Sequence, residues 1–133
     1  MTTLVDSSVL LDVMAPSTWR VWSEEQLSVA ADAGDLAINQ VIYAEVAVGF
    51  ASAERLDRTL QGVGLKRLGL PWAAAWRVAE AFLNYRRAGG PRTTPLPDFF
   101  IAAHAAVAGL TLLTRDPRRV RAYFPEVALI APG

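Results

Sequence analysis

Residues 3–12, TLVDSSVLLD, place a carboxylate where a buried strand ends. The apolar run up to Asp6 predicts a short strand. Ser7 or Ser8 can cap the helix that follows, because a serine hydroxyl accepts hydrogen bonds from the free N–H groups of a first helical turn. That helix carries one apolar face, and Pro16 ends it. The same pattern, a strand that runs into a helix through an acidic residue, recurs near the other end of the chain.

The rest of the chain alternates short apolar strands with helical patterns. Strands are predicted at residues 3–6, 36–38, 64–70, 111–114 and 127–130. Helices are predicted at residues 18–33, 41–50, 53–61, 71–87 and 99–108, with a short helix from Asp116–Pro117 and a loop over residues 91–97. This alternation is typical of parallel βαβ units, in which helices cover both faces of one sheet. We therefore predict an α/β fold in a single domain, residues 1–133.

The composition excludes several classes of protein. Of the 133 residues, 53% are apolar and 20% are charged, which allows a packed core and argues against disorder. The apolar stretches fall short of the ~20 residues that a membrane span needs, and no secretory signal is expected. The absence of cysteine excludes disulfides, zinc–thiolate sites and thiol nucleophiles, and it fits the reducing cytoplasm. Any bound metal must use oxygen ligands or the single histidine, His104.

The arginines are unevenly distributed along a chain with no net charge. There are 13 basic and 13 acidic residues, so the chain lacks the overall basic character of many nucleic-acid-binding proteins. Arginine suits bidentate contact with phosphate groups, but a cluster of arginines can equally form a solvated helix face. Both interpretations stay open for the four arginines that fall within seven residues: Arg115, Arg118, Arg119 and Arg121.

Four carboxylates lie at predicted helix starts or inside an apolar helix. Asp6 and Asp116 follow strands at the carboxyl edge of the predicted sheet, where open parallel sheets bind ligands. Asp98 begins the apolar helix in PLPDFFIAAHA. Each of these three could be only a cap or a partner of the helix dipole. Glu45, in VIYAEVAVGF, needs another explanation, because its helix is apolar nearly all round and no basic residue lies within a turn of it.

The four carboxylates acquire a common role if the first and fourth strands are neighbours. Asp6 and Asp116 would then face one crevice, which Asp98 and Glu45 could reach from flanking helices. Four such charges would repel and raise one another's pKa values unless a divalent cation neutralised them. Carboxylates with water in the remaining positions suit Mg²⁺ or Mn²⁺, which can activate water and stabilise charge on a phosphodiester. Thr114 offers a hydroxyl at the same edge.

Four stretches resemble the PIN-domain family, in particular the VapC-type ribonuclease toxins of bacterial toxin–antitoxin pairs: LVDSSVLLD, INQVIYAEVAVGF, PLPDFFIAAHA and LLTRDPRRV. The acidic quartet of that family maps onto Asp6, Glu45, Asp98 and Asp116, and its hydroxyl before the last acid maps onto Thr114. One departure is that many relatives carry asparagine shortly after the first acid, where this chain has two serines.

The resemblance implies a five-stranded parallel sheet and a metal-dependent endoribonuclease that acts as a toxin. Asp6, Asp98 and Asp116 would hold Mg²⁺ or Mn²⁺, and Glu45 would bind a second metal or position the attacking water. The resemblance further implies a homodimer in the cytoplasm and a cognate VapB-type antitoxin that blocks the site. The RNA backbone would be contacted by the clustered arginines, Arg115, Arg118, Arg119 and Arg121.

Other functions fit the residues less well. A haloacid-dehalogenase-like phosphatase would need an aspartate at the position of Ser8 and a suitably placed lysine, and the only lysine is Lys66 on a predicted strand. A receiver domain would need a phospho-acceptor aspartate after the third strand and a lysine near the fifth, and this sequence has neither. The alternative that stays open is a non-catalytic PIN-like scaffold that binds RNA or a protein partner.

Histidine and tryptophan are expected to be structural. His104 lies six residues after Asp98, a spacing that puts the two on different helix faces, so we expect a hydrogen-bonded histidine in the core or at an interface rather than a shared ligand. The four tryptophans form two pairs at helical spacing. We expect two of the four in the core, and a role at an interface stays open for the pairs Trp19 with Trp22 and Trp72 with Trp76.

Overall fold

Five short strands alternate with seven helices in the computed structural model, which describes residues 1–91 and 96–133. Within those residues the strands are β1 (Thr3–Val5), β2 (Leu36–Ile38), β3 (Leu65–Arg67), β4 (Thr111–Leu113) and β5 (Ala128–Ile130). The helices are α1 (Ser7–Met14), α2 (Arg20–Ala33), α3 (Gln40–Ala47), α4 (Ala53–Val63), α5 (Trp72–Arg87), α6 (Leu96–Ala108) and α7 (Arg118–Tyr123).

All five strands are parallel and form one sheet in the order β3-β2-β1-β4-β5. The register pairs Thr3 with Leu36 on one side of β1 and Val5 with Leu113 on the other, so β1 is the central strand. Successive side chains of a strand point to opposite faces, and every residue of β1 and β2 is buried, so both faces of the sheet are covered. The predicted α/β class and the five-stranded parallel sheet are confirmed.

Side-chain caps fix the starts of two helices. The Asn39 Oδ1 atom accepts a hydrogen bond from the Ile42 N–H at 3.0 Å, and the Ser52 Oγ atom accepts one from the Arg55 N–H at 3.2 Å. At the other end of α4, Gly64 has a φ of 82°, a left-handed conformation that glycine adopts without a Cβ clash. These local signals turn the chain at the sheet edges.

Three element boundaries differ from the sequence prediction by more than a residue or two. The third strand is shorter than the predicted 64–70, because the chain leaves the sheet after the Leu68 N–H donates to the Ile38 carbonyl at 2.8 Å. Helix α3 ends at Ala47 rather than at residue 50. Helix α6 begins at Leu96, since a proline is tolerated in a first helical turn. The remainder of the predicted 91–97 loop lies largely outside the described residues, at 92–95.

An aromatic cluster joins α5, α6 and α7. The buried Phe99 ring lies 5.7 Å from that of Tyr85 and 5.5 Å from those of Tyr123 and Phe124, measured between centroids. Two of these contacts are edge-to-face, the arrangement that the quadrupoles of aromatic rings favour. Because Phe99 directly follows Asp98, this packing fixes the start of α6 and the position of the carboxylate.

Only one of the four tryptophans packs against the core. Trp22 does so, and the Trp19 ring meets it edge-on with 6.1 Å between centroids. Trp72 and Trp76 are 92% and 73% exposed, because the opposite face of α5, around Val78, is the buried one. The expectation of two core tryptophans is met by Trp22 alone. Even with this exposed apolar surface, none of the helices in residues 1–91 and 96–133 is long and apolar enough to cross a membrane.

Candidate active site

The carboxyl ends of β1 and β4 lie side by side, and a cleft of about 310 Å³ opens beyond them. Asp6 follows β1, and its backbone N–H donates to the Leu113 carbonyl of β4 at 2.9 Å. This bond extends the pairing of the two strands to the rim of the cleft. The polar residues that line the cleft are Asp6, Ser7, Ser8, Asp98, Thr114, Asp116, Arg118 and Arg119.

Asp6 is held by two hydroxyl groups. The Asp6 Oδ2 atom accepts hydrogen bonds from Ser8 Oγ at 2.7 Å and from Thr114 Oγ1 at 2.9 Å. Thr114 Oγ1 in turn accepts a bond from the Asp116 N–H at 3.0 Å, so one buried hydroxyl connects the two acidic positions. Asp6 occupies the N-cap position of α1, yet among the described residues its side chain makes no capping bond. Capping therefore does not account for Asp6.

Glu45 of α3 lies beside this cleft but is not among the residues that line it. Its half-buried side chain accepts a hydrogen bond from Ser7 Oγ at 2.9 Å, and Ser7 lines the cleft. Burial raises the pKa of the Glu45 carboxyl above its ordinary value, and the negative charges of Asp6 and Asp98 raise it further. Glu45 thus has a serine hydroxyl as its partner, and this hydrogen bond only partly offsets the cost of burying the charge.

Asp98 lies in the first turn of α6, on the other side of the cleft. Burial raises the pKa of its carboxyl, and so do the charges of Asp6 and Asp116. Arg119 of α7 opposes this rise through an ion pair of 3.2 Å between Arg119 Nη1 and Asp98 Oδ2. About half of each side chain in the pair is exposed, so water screens the interaction. The three aspartates that the sequence singled out thus line one cleft, and Glu45 lies beside it.

The donor set fits a divalent cation. All four carboxylates offer oxygen ligands, which Mg²⁺ and Mn²⁺ prefer, and the negative charge of Asp6 adds to the effect of burial in raising the pKa values of Glu45 and Asp98. In the described part of the chain, however, no three acidic or histidine side chains are already close enough to hold an ion together. Ion binding would draw the carboxylates closer, and Asp98 would exchange its contact with Arg119 for the ion.

The PIN-domain family model matches residues 3–125, nearly the whole chain. The chain belongs to the PIN-domain family. This confirms the resemblance that the four sequence stretches suggested. No curated protein matches the chain at a significant level.

Solved structures of toxin–antitoxin proteins resemble this PIN domain in fold. VapBC2 from Rickettsia felis, solved with a DNA fragment from its promoter, has a TM-score of 0.77 and 17% identity, with 100% of each chain covered. A toxin–antitoxin complex from Klebsiella pneumoniae has a TM-score of 0.68 and 23% identity, with 95% of each chain covered. FitAcB from Neisseria gonorrhoeae has a TM-score of 0.63 and 20% identity, with 96% of each chain covered.

The four clustered arginines of the PIN domain occupy different environments. Arg118 and Arg119 line the acidic cleft, whereas Arg121 is exposed and is not among the lining residues. The Arg115 guanidinium turns towards α1 and pairs with Asp12, with 2.9 Å between Arg115 Nε and Asp12 Oδ2. Contact of these arginines with RNA stays a prediction, and Arg115 could make it only with the part of its guanidinium that Asp12 does not engage.

Asp12 is a buried carboxylate that the sequence analysis missed. It accepts hydrogen bonds from Ser17 Oγ at 2.8 Å, Ser23 Oγ at 2.8 Å and Arg115. Burial opposes ionisation, but these bonds together hold the pKa of Asp12 below its ordinary value. The cost of burying an unpaired charge, which singled out Glu45, applies to Asp12 as well, because Asp12 lies in the apolar run LLDVM and the first basic residue of the chain is Arg20. Its effect on the site is indirect, since Arg115 lies in the loop between Thr114 and Asp116.

His104 is a core residue, as predicted. Its Nδ1 atom lies 3.0 Å from Asn39 Nδ2. The oxygen of the same amide accepts from the Ile42 N–H, so the amide nitrogen faces the ring and donates to Nδ1. Burial lowers the pKa of His104, which keeps the imidazole neutral. His104 therefore stabilises the packing of α6 on α3 and is not a ligand of the acidic cleft.

Proposed function

We propose that this PIN domain is a metal-dependent endoribonuclease that hydrolyses RNA phosphodiester bonds and acts as a VapC-type toxin. The observation that carries the proposal is that three aspartates from separate parts of the chain, Asp6, Asp98 and Asp116, line one cleft beyond the central strands, with Glu45 beside them. Burial, together with the negative charge of Asp6, raises the pKa values of Glu45 and Asp98, which supports a site that functions with a bound cation.

Each residue of the cleft has a role in this proposal. Asp6, Asp98 and Asp116 would hold Mg²⁺ or Mn²⁺, and Glu45 would bind a second ion or orient the attacking water. The bound ion supplies activation of water and stabilisation of charge on the phosphate oxygens. Thr114 holds the Asp6 carboxylate in place through its hydroxyl.

The arginines would bind the phosphate groups of the RNA. Arg118 and Arg119 line the acidic cleft, so in this proposal they would contact the phosphodiester that is cleaved. Arg121 and the exposed edge of Arg115 would extend the basic surface along the backbone. Contacts of this kind supply affinity that falls with salt and carry little sequence information.

A protein partner and a dimeric state belong to the same proposal. The structures that resemble the chain include toxin–antitoxin complexes, which supports a cognate VapB-type antitoxin that covers the acidic cleft. We also propose that the toxin is a homodimer in the cytoplasm. Light scattering coupled to size-exclusion chromatography measures the molar mass, and the mass of a single chain would contradict the homodimer.

Cleavage of total cellular RNA by the purified protein tests the nuclease. We expect discrete fragments in Mg²⁺ or Mn²⁺ and intact RNA in EDTA. The Asp98→Asn variant should leave RNA intact, whereas Asp32→Asn should cleave normally, because it removes an exposed carboxylate of α2 that does not line the cleft. Cleavage by Asp98→Asn at the wild-type rate would refute the role of Asp98.

A non-catalytic scaffold is the second candidate. It draws support from the ion pair between Arg119 and Asp98 and from the separation of the acids in the described residues. A scaffold would gain thermal stability from Mg²⁺ through the same acids, yet it would cleave no RNA when folded and free of antitoxin. That combination of results would replace the nuclease proposal.

A further inference from the structure

A second cleft, of about 260 Å³, opens at the carboxyl ends of β2 and β3. Gln40 and Tyr43 of α3 form one side of it, and Arg67 and Leu68 at the end of β3 form the other. It shares no lining residue with the acidic cleft. The proposed nuclease chemistry does not use any of these side chains.

The Arg67 guanidinium lies over the Tyr43 ring at this cleft, and the two side chains are named the Tyr43–Arg67 stack. The Arg67 guanidinium carbon lies 5.0 Å from the centroid of the Tyr43 ring. Both side chains donate hydrogen bonds to Oδ1 of Asp57, Tyr43 Oη at 2.8 Å and Arg67 through Nη2. Asp57 thus holds a planar cation against an aromatic ring, while 63% of the Arg67 side chain remains exposed.

The charge of the stack indicates what it can bind. Asp57 neutralises Arg67 locally, so a phosphate group would meet both a cation and an anion. A neutral planar group that stacks on the guanidinium avoids that repulsion. Unpaired nucleobases bind proteins in this way, stacked on aromatic rings or on guanidinium planes.

A base in this cleft would also meet a hydrogen-bonding group. The Gln40 Oε1 atom accepts a bond from the Leu70 N–H at 3.0 Å, which fixes the amide and leaves its nitrogen as a donor. An amide donor can bond a carbonyl oxygen or a ring nitrogen at the edge of a base. The cleft therefore combines a stacking surface with one polar group for the base edge.

We propose that the Tyr43–Arg67 stack binds an unpaired nucleobase of the RNA whose phosphodiester lies in the acidic cleft, an inference that rests on the proposed nuclease function. Both clefts lie at the carboxyl edge of the same sheet, because Asp6 follows β1 and Leu68 follows β3. Two strand spacings separate those ends by roughly 10 Å, which about three stacked nucleotides of one strand would span.

Helix α3 connects the two clefts. Gln40 and Tyr43 face the second cleft, and Glu45 of the same helix bonds Ser7 at the acidic cleft. A base bound at the stack would therefore set the position of the RNA relative to Glu45. In this way the stack would select single-stranded targets, whose bases are free to turn out of the strand.

The experiment is fluorescence anisotropy with a labelled single-stranded RNA of twelve nucleotides, measured in Mg²⁺ on the Asp98→Asn protein, which is expected to leave the RNA intact. We expect Tyr43→Leu and Arg67→Ala, each added to that protein, to weaken binding about ten-fold, the scale of one lost base stack. Tyr43→Phe keeps the ring and should restore binding to within about three-fold of the parent.

Lys66→Ala is the matched control. Lys66 precedes Arg67, is equally exposed at 63%, and is also ion-paired, but its partner Asp35 lies at the opposite edge of the sheet. This variant should change binding less than about two-fold. Circular dichroism melting of every variant separates loss of binding from loss of folding, and Arg67→Ala, at an exposed position, carries the test if Tyr43→Leu does not fold.

An abasic RNA of the same length distinguishes bases from backbone. The Tyr43→Leu effect should disappear with the abasic strand, and the slope of log Kd against log salt should match that of the parent, because stacking releases no counterions. Binding unchanged by Tyr43→Leu and Arg67→Ala, a parent that binds no RNA, or an equal loss on abasic RNA would each overturn the base site. Tyr43-dependent binding without any cleavage by the wild-type protein would instead remove the nuclease and keep the base site.

Discussion

Replacing Asp12 with asparagine tests whether the buried ion pair with Arg115 stabilises the fold. The asparagine keeps the oxygen that accepts from Ser17, but its amide nitrogen stands where Oδ2 accepts from Arg115 Nε. The neighbouring Ser23 hydroxyl can turn to accept from the new amide, so the main loss is one charge-assisted hydrogen bond. Such a bond contributes about 2–3 kcal/mol. For a domain of this size the loss corresponds to a fall in Tm of roughly 10 °C.

Urea denaturation followed by circular dichroism measures the effect, with Asp32→Asn as the exposed control expected to stay within about 0.5 kcal/mol of the wild type. A double-mutant cycle with Arg115→Met isolates the pair. The pKa of Asp12 is lowered in the folded state, so its ionised carboxylate stabilises the fold at pH values above 3.8, the ordinary pKa of aspartate. This contribution is lost as the pH falls through the folded-state pKa. The difference between variant and wild type should therefore shrink in acid. Strict additivity in the cycle, or a loss under 0.5 kcal/mol, would refute the reasoning.

Three further predictions concern the acidic cleft and the core histidine. Glu45→Gln should raise Tm in EDTA, because it removes one of several repelling charges. It should also reduce the gain in Tm on adding Mg²⁺. An unchanged gain would refute the role of Glu45 in binding the ion. Thr114→Val leaves the Asp116 N–H and the Asp6 carboxylate without their shared hydroxyl. The free energy of unfolding should therefore fall by about 1–3 kcal/mol, and RNA cleavage should slow at least ten-fold. Cleavage at the wild-type rate would contradict this role of Thr114. Burial lowers the pKa of His104, so the unfolded state binds a proton at this side chain more readily than the folded state does. The free energy of unfolding should therefore fall as the pH drops below about 6.5. His104→Leu should abolish that part of the pH dependence, and an unaltered slope of the unfolding free energy against pH would exclude a contribution from His104.

The acidic site could be predicted from sequence because it depends on topology more than on detail. Parallel strands end at one edge of a sheet, so Asp6 and Asp116 needed only neighbouring strands to meet. Asp98 follows from the start of an apolar helix, and Glu45 from the cost of burying an unpaired charge. What sequence could not supply is the hydroxyl network, in which Thr114 joins Asp6 to the Asp116 backbone.

Contacts between distant elements were beyond the sequence. Arg115 meets Asp12 across 103 positions of sequence, through the packing of α1 against the loop after β4, and no local pattern records that meeting. The tryptophans show a second limit. Helical spacing places Trp72 and Trp76 on one face of α5, but it does not tell which face the other helices cover. Helical periodicity thus predicted correctly which residues share a face of the helix, but it did not predict whether that face is buried or exposed.

A single amide, that of Asn39, links two of the helices that carry acids. Its oxygen accepts from the first turn of α3, and its nitrogen donates to His104 in the middle of α6. This bond joins the helix that carries Glu45 to the helix that carries Asp98. In hydrogen-exchange terms, α3 and α6 should open together as one cooperative segment rather than fray independently. The acidic cleft would then be lost all at once when that segment opens, and it would stay intact while the outer helices fluctuate.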